Sequence, residues 1–141
     1  MAAAEYTFTE VYEGQQAQFE VTITQSLVSS FAELSGDQNP LHTSEEYAAQ
    51  TRFKSPVAHG MLAGAFFSRL VGMYLPGASS LYLSQSLFFR KPMRMGMGVR
   101  VEGEILHKTE SQKTLVLKTR VVDKSSGDVL TEGEAVVHML V

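Results

Sequence analysis

No cysteine occurs among the 141 residues. Its absence excludes disulfides, thiol nucleophiles and cysteine-bound metals, and is compatible with a reducing compartment. Basic residues are not in excess: twelve Lys and Arg against fifteen Asp and Glu leave a formal charge of -3. A dedicated nucleic-acid binder would carry a basic face, so no nucleic-acid partner is expected. A small anionic ligand remains open, since it needs only a few well-placed cations. No apolar run reaches the ~20 residues needed to cross a bilayer. The longest, residues 59–75, is shorter and contains Arg69, so no membrane partner is expected. The opening MAAAEYTFTE lacks a basic region followed by an apolar run, so no secretory leader is expected. The expected location is cytoplasmic, with mitochondria and peroxisomes left open. Internal repeats and low-complexity segments are also missing.

What is present fits one domain over residues 1–141, with 44% hydrophobic residues to build its core. Phe19, Val21 and Ile23 alternate with polar residues and predict a strand over 16–24. Thr24 or Ser26 caps a helix to about Ser35, with Leu27, Val28, Phe31 and Leu34 at helical spacing. Gly36 suits the left-handed residue that ends it. Asn39-Pro40 marks a turn, and Ser44 caps a short helix to about Gln50. Residues 59–75 are apolar almost all round, which predicts one long helix surrounded by protein. Four strands follow: 81–89, with Leu81, Leu83, Leu87 and Phe89 on one face; one carrying Val99, Val101 and Ile105; one carrying Leu115, Leu117 and Val121; and 129–140. This order predicts an α+β fold, a long helix wrapped by a curved antiparallel sheet. One thin sheet leaves part of such a helix uncovered, so a homodimer is expected.

Chemistry concentrates in two places. Asp37 and His42 lie five residues apart across the proline turn, a carboxylate and an imidazole able to share proton transfer. The same residues suit an ordinary turn and an exposed loop histidine. His59-Gly60 opens the apolar helix. The Gly60 N–H is a candidate oxyanion donor, although glycine there also suits close helix–sheet packing. From Gly60, Gly64, Phe67 and Val71 return to the same helical face and are candidates for an acyl pocket. Met95-Gly96-Met97-Gly98 lacks the third glycine and the strand-to-helix setting of a dinucleotide loop, and reads as a bend. The four histidines show no metal-ligand spacing, so no metal is expected.

Phe31-Ala32-Glu33-Leu34-Ser35-Gly36-Asp37-Gln38-Asn39-Pro40-Leu41-His42, followed by Pro56-Val57-Ala58-His59-Gly60-Met61-Leu62, resembles the hydratase-2 motif of (R)-specific enoyl-CoA hydratases and MaoC-like dehydratases. The likeness continues through residues 82–89, Lys91-Pro92 and residues 131–135. It implies a hot-dog fold, a homodimer and reversible hydration of trans-2-enoyl-CoA to (R)-3-hydroxyacyl-CoA. It implies Asp37 and His42 as the catalytic pair, the Gly60 N–H as oxyanion donor, and Asn39 and Ser68 as supporting polar residues. No cofactor is implied beyond the coenzyme A that the substrate carries. A dehydratase for carrier-protein thioesters, a non-catalytic acyl-thioester module and a thioesterase are the rival readings. Lys91, Arg94 and Arg100 are the clustered cations that could meet an acidic carrier.

Overall fold

Alternation around Phe19 produces β1 (Gln16–Thr22) in a computed structural model that describes residues 1–141. The chain turns through Ile23 into α1 (Gln25–Ser35), where the Thr24 hydroxyl accepts from the Leu27 N–H at 3.1 Å. Gly36 ends α1 at φ 78°, a conformation that costs glycine little. The buried stripe of α1 is Val28 and Ala32, with Leu27 and Phe31 packed against the core. Leu34 lies off that i, i+4 line and is 86% exposed, contrary to expectation.

Two short helices follow, α2 (Pro40–Thr43) and α3 (Glu45–Ala49). The apolar segment then forms α4 (Leu62–Arg69) and a π turn, Leu70–Tyr74, in which the Leu75 N–H reaches back five residues to Leu70 O at 2.9 Å. Five strands complete the chain: β2 (Ser80–Gln85), β3 (Phe88–Phe89), β4 (Gly98–Thr109), β5 (Thr114–Asp123) and β6 (Val129–Met139). They form one antiparallel sheet in the order β1-β4-β5-β6-β2, with β3 added to β6. Met95 to Gly98 is the bend expected there, with Gly96 at φ 83° leading into β4.

The sheet curves around α4 in the hot-dog arrangement. Val99, Val101 and Ile105 of β4, and Leu115, Leu117 and Val121 of β5, are buried on its inner face. At Gly103 the helix comes so close that a Cβ would lie 2.8 Å from a Leu70 methyl carbon. Phe67 and Leu70 fill one core cluster with Val99, Val101 and Val121, while Val71 belongs to a second with Ile105, Leu115 and Val137.

Two expectations are corrected. The central helix is shorter than residues 59–75 and is not enclosed on every side. Met61 is 58% exposed, and Ala65, Ser68 and Arg69 continue the same open stripe at i+4, i+7 and i+8. A single sheet covers one flank only. On β2, Leu81 and Leu83 point outward, 53% and 54% exposed, and Tyr82 packs inward instead. Alternation alone does not say which face is the inner one, and the register shifts between Tyr82 and Ser84. Burial pushes the Tyr82 hydroxyl up to about 12, and that hydroxyl bonds the Gln85 side chain.

Candidate active site

The loop after α1 is shaped by its own side chains. The Ser35 hydroxyl accepts from the Asp37 N–H at 3.1 Å, and Asp37 Oδ1 accepts from the Asn39 N–H at 3.2 Å. Asn39 Oδ1 accepts from the Leu41 N–H at 3.0 Å and so caps α2, with Pro40 at its first position. Asn39 therefore supports the site by placing the helix that carries His42.

His42 is fixed from the other side. Its Nδ1 lies 2.7 Å from the Val57 carbonyl oxygen. A carbonyl can only accept, so Nδ1 bears the proton and Nε2 keeps its lone pair when the ring is neutral. The Val57 segment is anchored in turn: the Val57 N–H donates to Leu41 O at 3.3 Å and the Ala58 N–H to Met93 O at 2.8 Å. The loop after α1, α2 and the connection between β3 and β4 thus hold one imidazole.

His59, which spacing marked only as the residue before Gly60, proves central. It is 2% exposed. Its Nε2 lies 2.9 Å from the Asp37 carbonyl oxygen, and its ring stacks on His42 with centroids 3.9 Å apart. Phe31 packs against it at 4.9 Å. The Asp37 carboxylate is half exposed and 4.0 Å from His59 Nε2, too long for a hydrogen bond.

Asp37, His42 and His59 each bring a nitrogen or carboxylate oxygen within 4.8 Å of the others. Such a trio invites a test for metal binding. Zinc takes imidazole nitrogens at about 2.0–2.1 Å along lone pairs that lie in the ring planes. The planes of His42 and His59 are stacked with only 29° between them, so those lone pairs do not converge on one ion. The trio does not fit a metal centre.

A cleft of about 440 Å³ joins His42 to Gly60, with Phe53, Met61 and Phe89 on its walls and Arg52, Arg90 and Lys91 around it. The first turn of the central helix uses its carbonyls, through Leu62 N to His59 O at 3.1 Å and Ala63 N to Gly60 O at 3.0 Å. The N–H groups of Gly60 and Met61 have no acceptor within the protein backbone. Gly60 thus offers a free donor inside the cleft that holds His42. A Cβ there would lie 3.0 Å from the Phe89 ring, so glycine keeps this approach open.

Other expected residues fall elsewhere. Ser68 sits on the open stripe of α4, and the partners of Asp37 and His42 are Ser35, Asn39, Val57 and His59. Gly64 is half-buried, with open space where a Cβ would sit except for Leu87 at 3.8 Å. Phe67 and Val71, 0% and 1% exposed, are packed core residues in two separate clusters. Their azimuth followed from a regular helix, but both turn toward the sheet and the π turn begins at Leu70. The three cations that could meet an acidic carrier each have a partner within the protein. Arg94 is tied to Phe53 O at 2.8 Å, Arg100 pairs with Glu102 at 2.6 Å, and Lys91 pairs with Asp128 at 2.8 Å.

Residues 8–126 match the model of the MaoC like domain. An (R)-specific enoyl-CoA hydratase of Rhodospirillum rubrum is 39% identical over 130 residues, covering 92% of this chain and 89% of that protein. An (R)-specific enoyl-CoA hydratase of Aeromonas caviae is 40% identical over 126 residues, covering 89% and 93%. The solved structure of an (R)-hydratase from A. caviae involved in PHA biosynthesis superposes with a TM-score of 0.89 at 39% identity, over 92% of this chain and 98% of that one.

Replacing Asn39 by Ala removes the cap of α2 and should cost about 1 kcal/mol in stability. Asn39→Asp, which retains an acceptor, should cost less. Denaturant unfolding of the two variants measures the difference, and equal midpoints for both variants and the parent would contradict the capping role.

Proposed function

The chain belongs to the MaoC-like domain family, and from that premise we propose that its cleft adds water to trans-2-enoyl-CoA, giving (R)-3-hydroxyacyl-CoA, and catalyses the reverse dehydration. It is a hydro-lyase. The observation that carries the assignment of the site is the convergence of His42 and the unpaired Gly60 N–H in one cleft, with an Asp37 carboxylate oxygen within 4.8 Å of a His42 ring nitrogen.

The chemistry follows from that placement. The thioester oxygen points at the Gly60 N–H, where negative charge develops as the enoyl π electrons shift toward it. Asp37 and His42 hold one water and carry one proton between them. One member takes a proton from water as the oxygen bonds C3, and the other gives its proton to C2. The pair ends with its single proton on the opposite partner, and the substrate gains one H and one OH. Both groups approach from one side of the planar enoyl, which fixes one configuration at C3. No metal or redox cofactor enters the scheme.

The anionic end of coenzyme A lies toward the cations around the cleft. Arg52 is the one of these without a carboxylate partner, its guanidinium resting 4.9 Å from the Phe53 ring, whereas Arg90 and Lys91 pair with Glu132 and Asp128. This favours a small coenzyme thioester over an acidic carrier protein, which would need a broader free basic patch. The acyl chain leaves Gly60 along the open flank of α4, past Gly64 and against Leu87, rather than past Phe67 and Val71. The bacterial hydratases it resembles favour a cytoplasmic setting.

We further propose a homodimer. β2 is a free sheet edge, and an exposed apolar edge invites pairing with another strand. Leu81 and Leu83 on β2, Phe88 and Phe89 on β3, and Met61 at the cleft are each more than half exposed. An antiparallel edge can pair with its own copy across a two-fold axis. Such pairing would cover these residues and close the cleft over Phe89.

Crotonyl-CoA, followed by loss of enoyl absorbance and chiral analysis of the product, tests the activity directly. Formation of (R)-3-hydroxybutyryl-CoA is expected, and the (S) product or no turnover would overturn the reading. Asp37→Asn and His42→Ala should each lower kcat about 10²–10⁴-fold in folded protein; full activity in either removes that residue from the mechanism. Sedimentation should give twice the chain mass, and the double variant Leu81→Glu/Leu83→Glu should sediment as one chain. A parent protein that is monomeric and active would contradict the dimer.

A further inference from the structure

His59 carries the one buried side-chain polar atom that has no hydrogen-bond partner, and the hydration scheme gives this residue no role. Its Nε2 faces a carbonyl, Asp37 O at 2.9 Å, so that nitrogen carries a proton and donates it. Nδ1 of the neutral ring is then a bare lone pair. It is buried and has no hydrogen-bond partner. An unsatisfied buried polar atom is destabilising, and a hydrocarbon of similar shape would avoid the cost. Packing alone therefore does not explain a histidine here. Metal binding does not explain it either, because its ring is stacked on His42. A second proton on Nδ1 would find no acceptor, so the neutral ring fits the site.

Two features remain that a hydrocarbon cannot supply together. One is the N–H that holds the Asp37 backbone, and so the base of its side chain, against the start of the central helix. The other is an aromatic face 3.9 Å from His42, backed by Phe31 at 4.9 Å. In the hydration scheme the pair shares one proton, so His42 is positively charged either before or after the step. A flat cation lying on an aromatic face is stabilised by the ring's electron density. His59 is only 2% exposed, enclosed by Phe31, His42 and the Asp37 backbone, so it does not touch substrate.

We infer that His59 is a positioning residue for the hydration reaction. Its Nε2–H fixes Asp37, and its ring supports His42 in both protonation states. This rests on the hydratase reading of the same site. A misplacement of about 1 Å in a reacting group can cost on the order of 10²-fold in rate. Three variants separate the two roles. His59→Leu removes donor and ring, His59→Phe restores the ring, and His59→Gln restores a donor at the position of Nε2.

The experiment measures kcat and KM for crotonyl-CoA, with circular dichroism and thermal melting on the same samples. His59→Leu should lower kcat about 10–100-fold with KM within threefold of the parent. His59→Phe and His59→Gln should each recover at least threefold of that loss. Melting of His59→Leu at or above the parent temperature, together with lost turnover, would separate positioning from folding. If His59→Leu does not fold, His59→Phe and His59→Gln must each still fall below the parent in kcat with KM unchanged. A Leu variant within twofold of the parent, or Phe and Gln variants no better than Leu, would overturn the inference. Failure of the parent itself to hydrate crotonyl-CoA would instead overturn the functional reading and the inference with it.

Discussion

The hydrogen bond from His42 Nδ1 to the Val57 carbonyl, 2.7 Å long and spanning fifteen residues of sequence, is the constraint on which the site turns. It selects the tautomer, leaves Nε2 with its lone pair in the neutral ring, and ties the loop after α1 to the segment that enters the central helix. Because Val57 and Ala58 are themselves bonded to Leu41 and Met93, the imidazole is held between a capped helix and the connection from β3 to β4. Gly60 lies three residues beyond Val57, so the same segment that orients the imidazole also sets the free N–H. In the proposed scheme, proton transfer and oxyanion binding are thus positioned by one short piece of backbone.

The local parts of this arrangement were legible in the sequence. Thr24, Gly36, Asn39-Pro40 and Ser44 act within three or four residues of themselves, and each does in the structure what its type and place imply. The order of elements was legible for the same reason, since alternation in β4 and β5 is a local signal. Facing was not. Leu34, Leu81 and Leu83 read as core and are exposed, because a period identifies two faces without naming the inner one. Phe67 and Val71 read as channel and are packed core, because a helical wheel does not know where the sheet lies or that a π turn begins at Leu70. His59 was visible in the motif beside Gly60. Its contact with Asp37, twenty-two residues away, exists only once α1 and the central helix are brought together.

The exposed residues share a location. Met61, Ala65 and Ser68 open along one flank of α4, and Leu81, Leu83, Phe88 and Phe89 lie on or beside the free edge of the sheet. The small side chains at Gly60, Gly64 and Ala65 keep that flank shallow. A second copy seated on it would turn an open cleft into a closed one, excluding water other than the one consumed and strengthening the interaction between the Gly60 N–H and a developing oxyanion. Burial of the apolar edge and completion of the site would then be the same event.

The central claim is that Asp37 and His42 act as one unit on one water. The most direct measurement is a double-mutant cycle on kcat for crotonyl-CoA hydration, comparing Asp37→Asn, His42→Ala and the combined variant. Groups that share a single step are strongly non-additive, because removing either already abolishes the joint function. The account predicts that the combined variant is no slower than the slower single one by more than about threefold. Losses that multiply, with the double variant slower by the product of the two single effects, would show that the two residues act independently and would contradict the account.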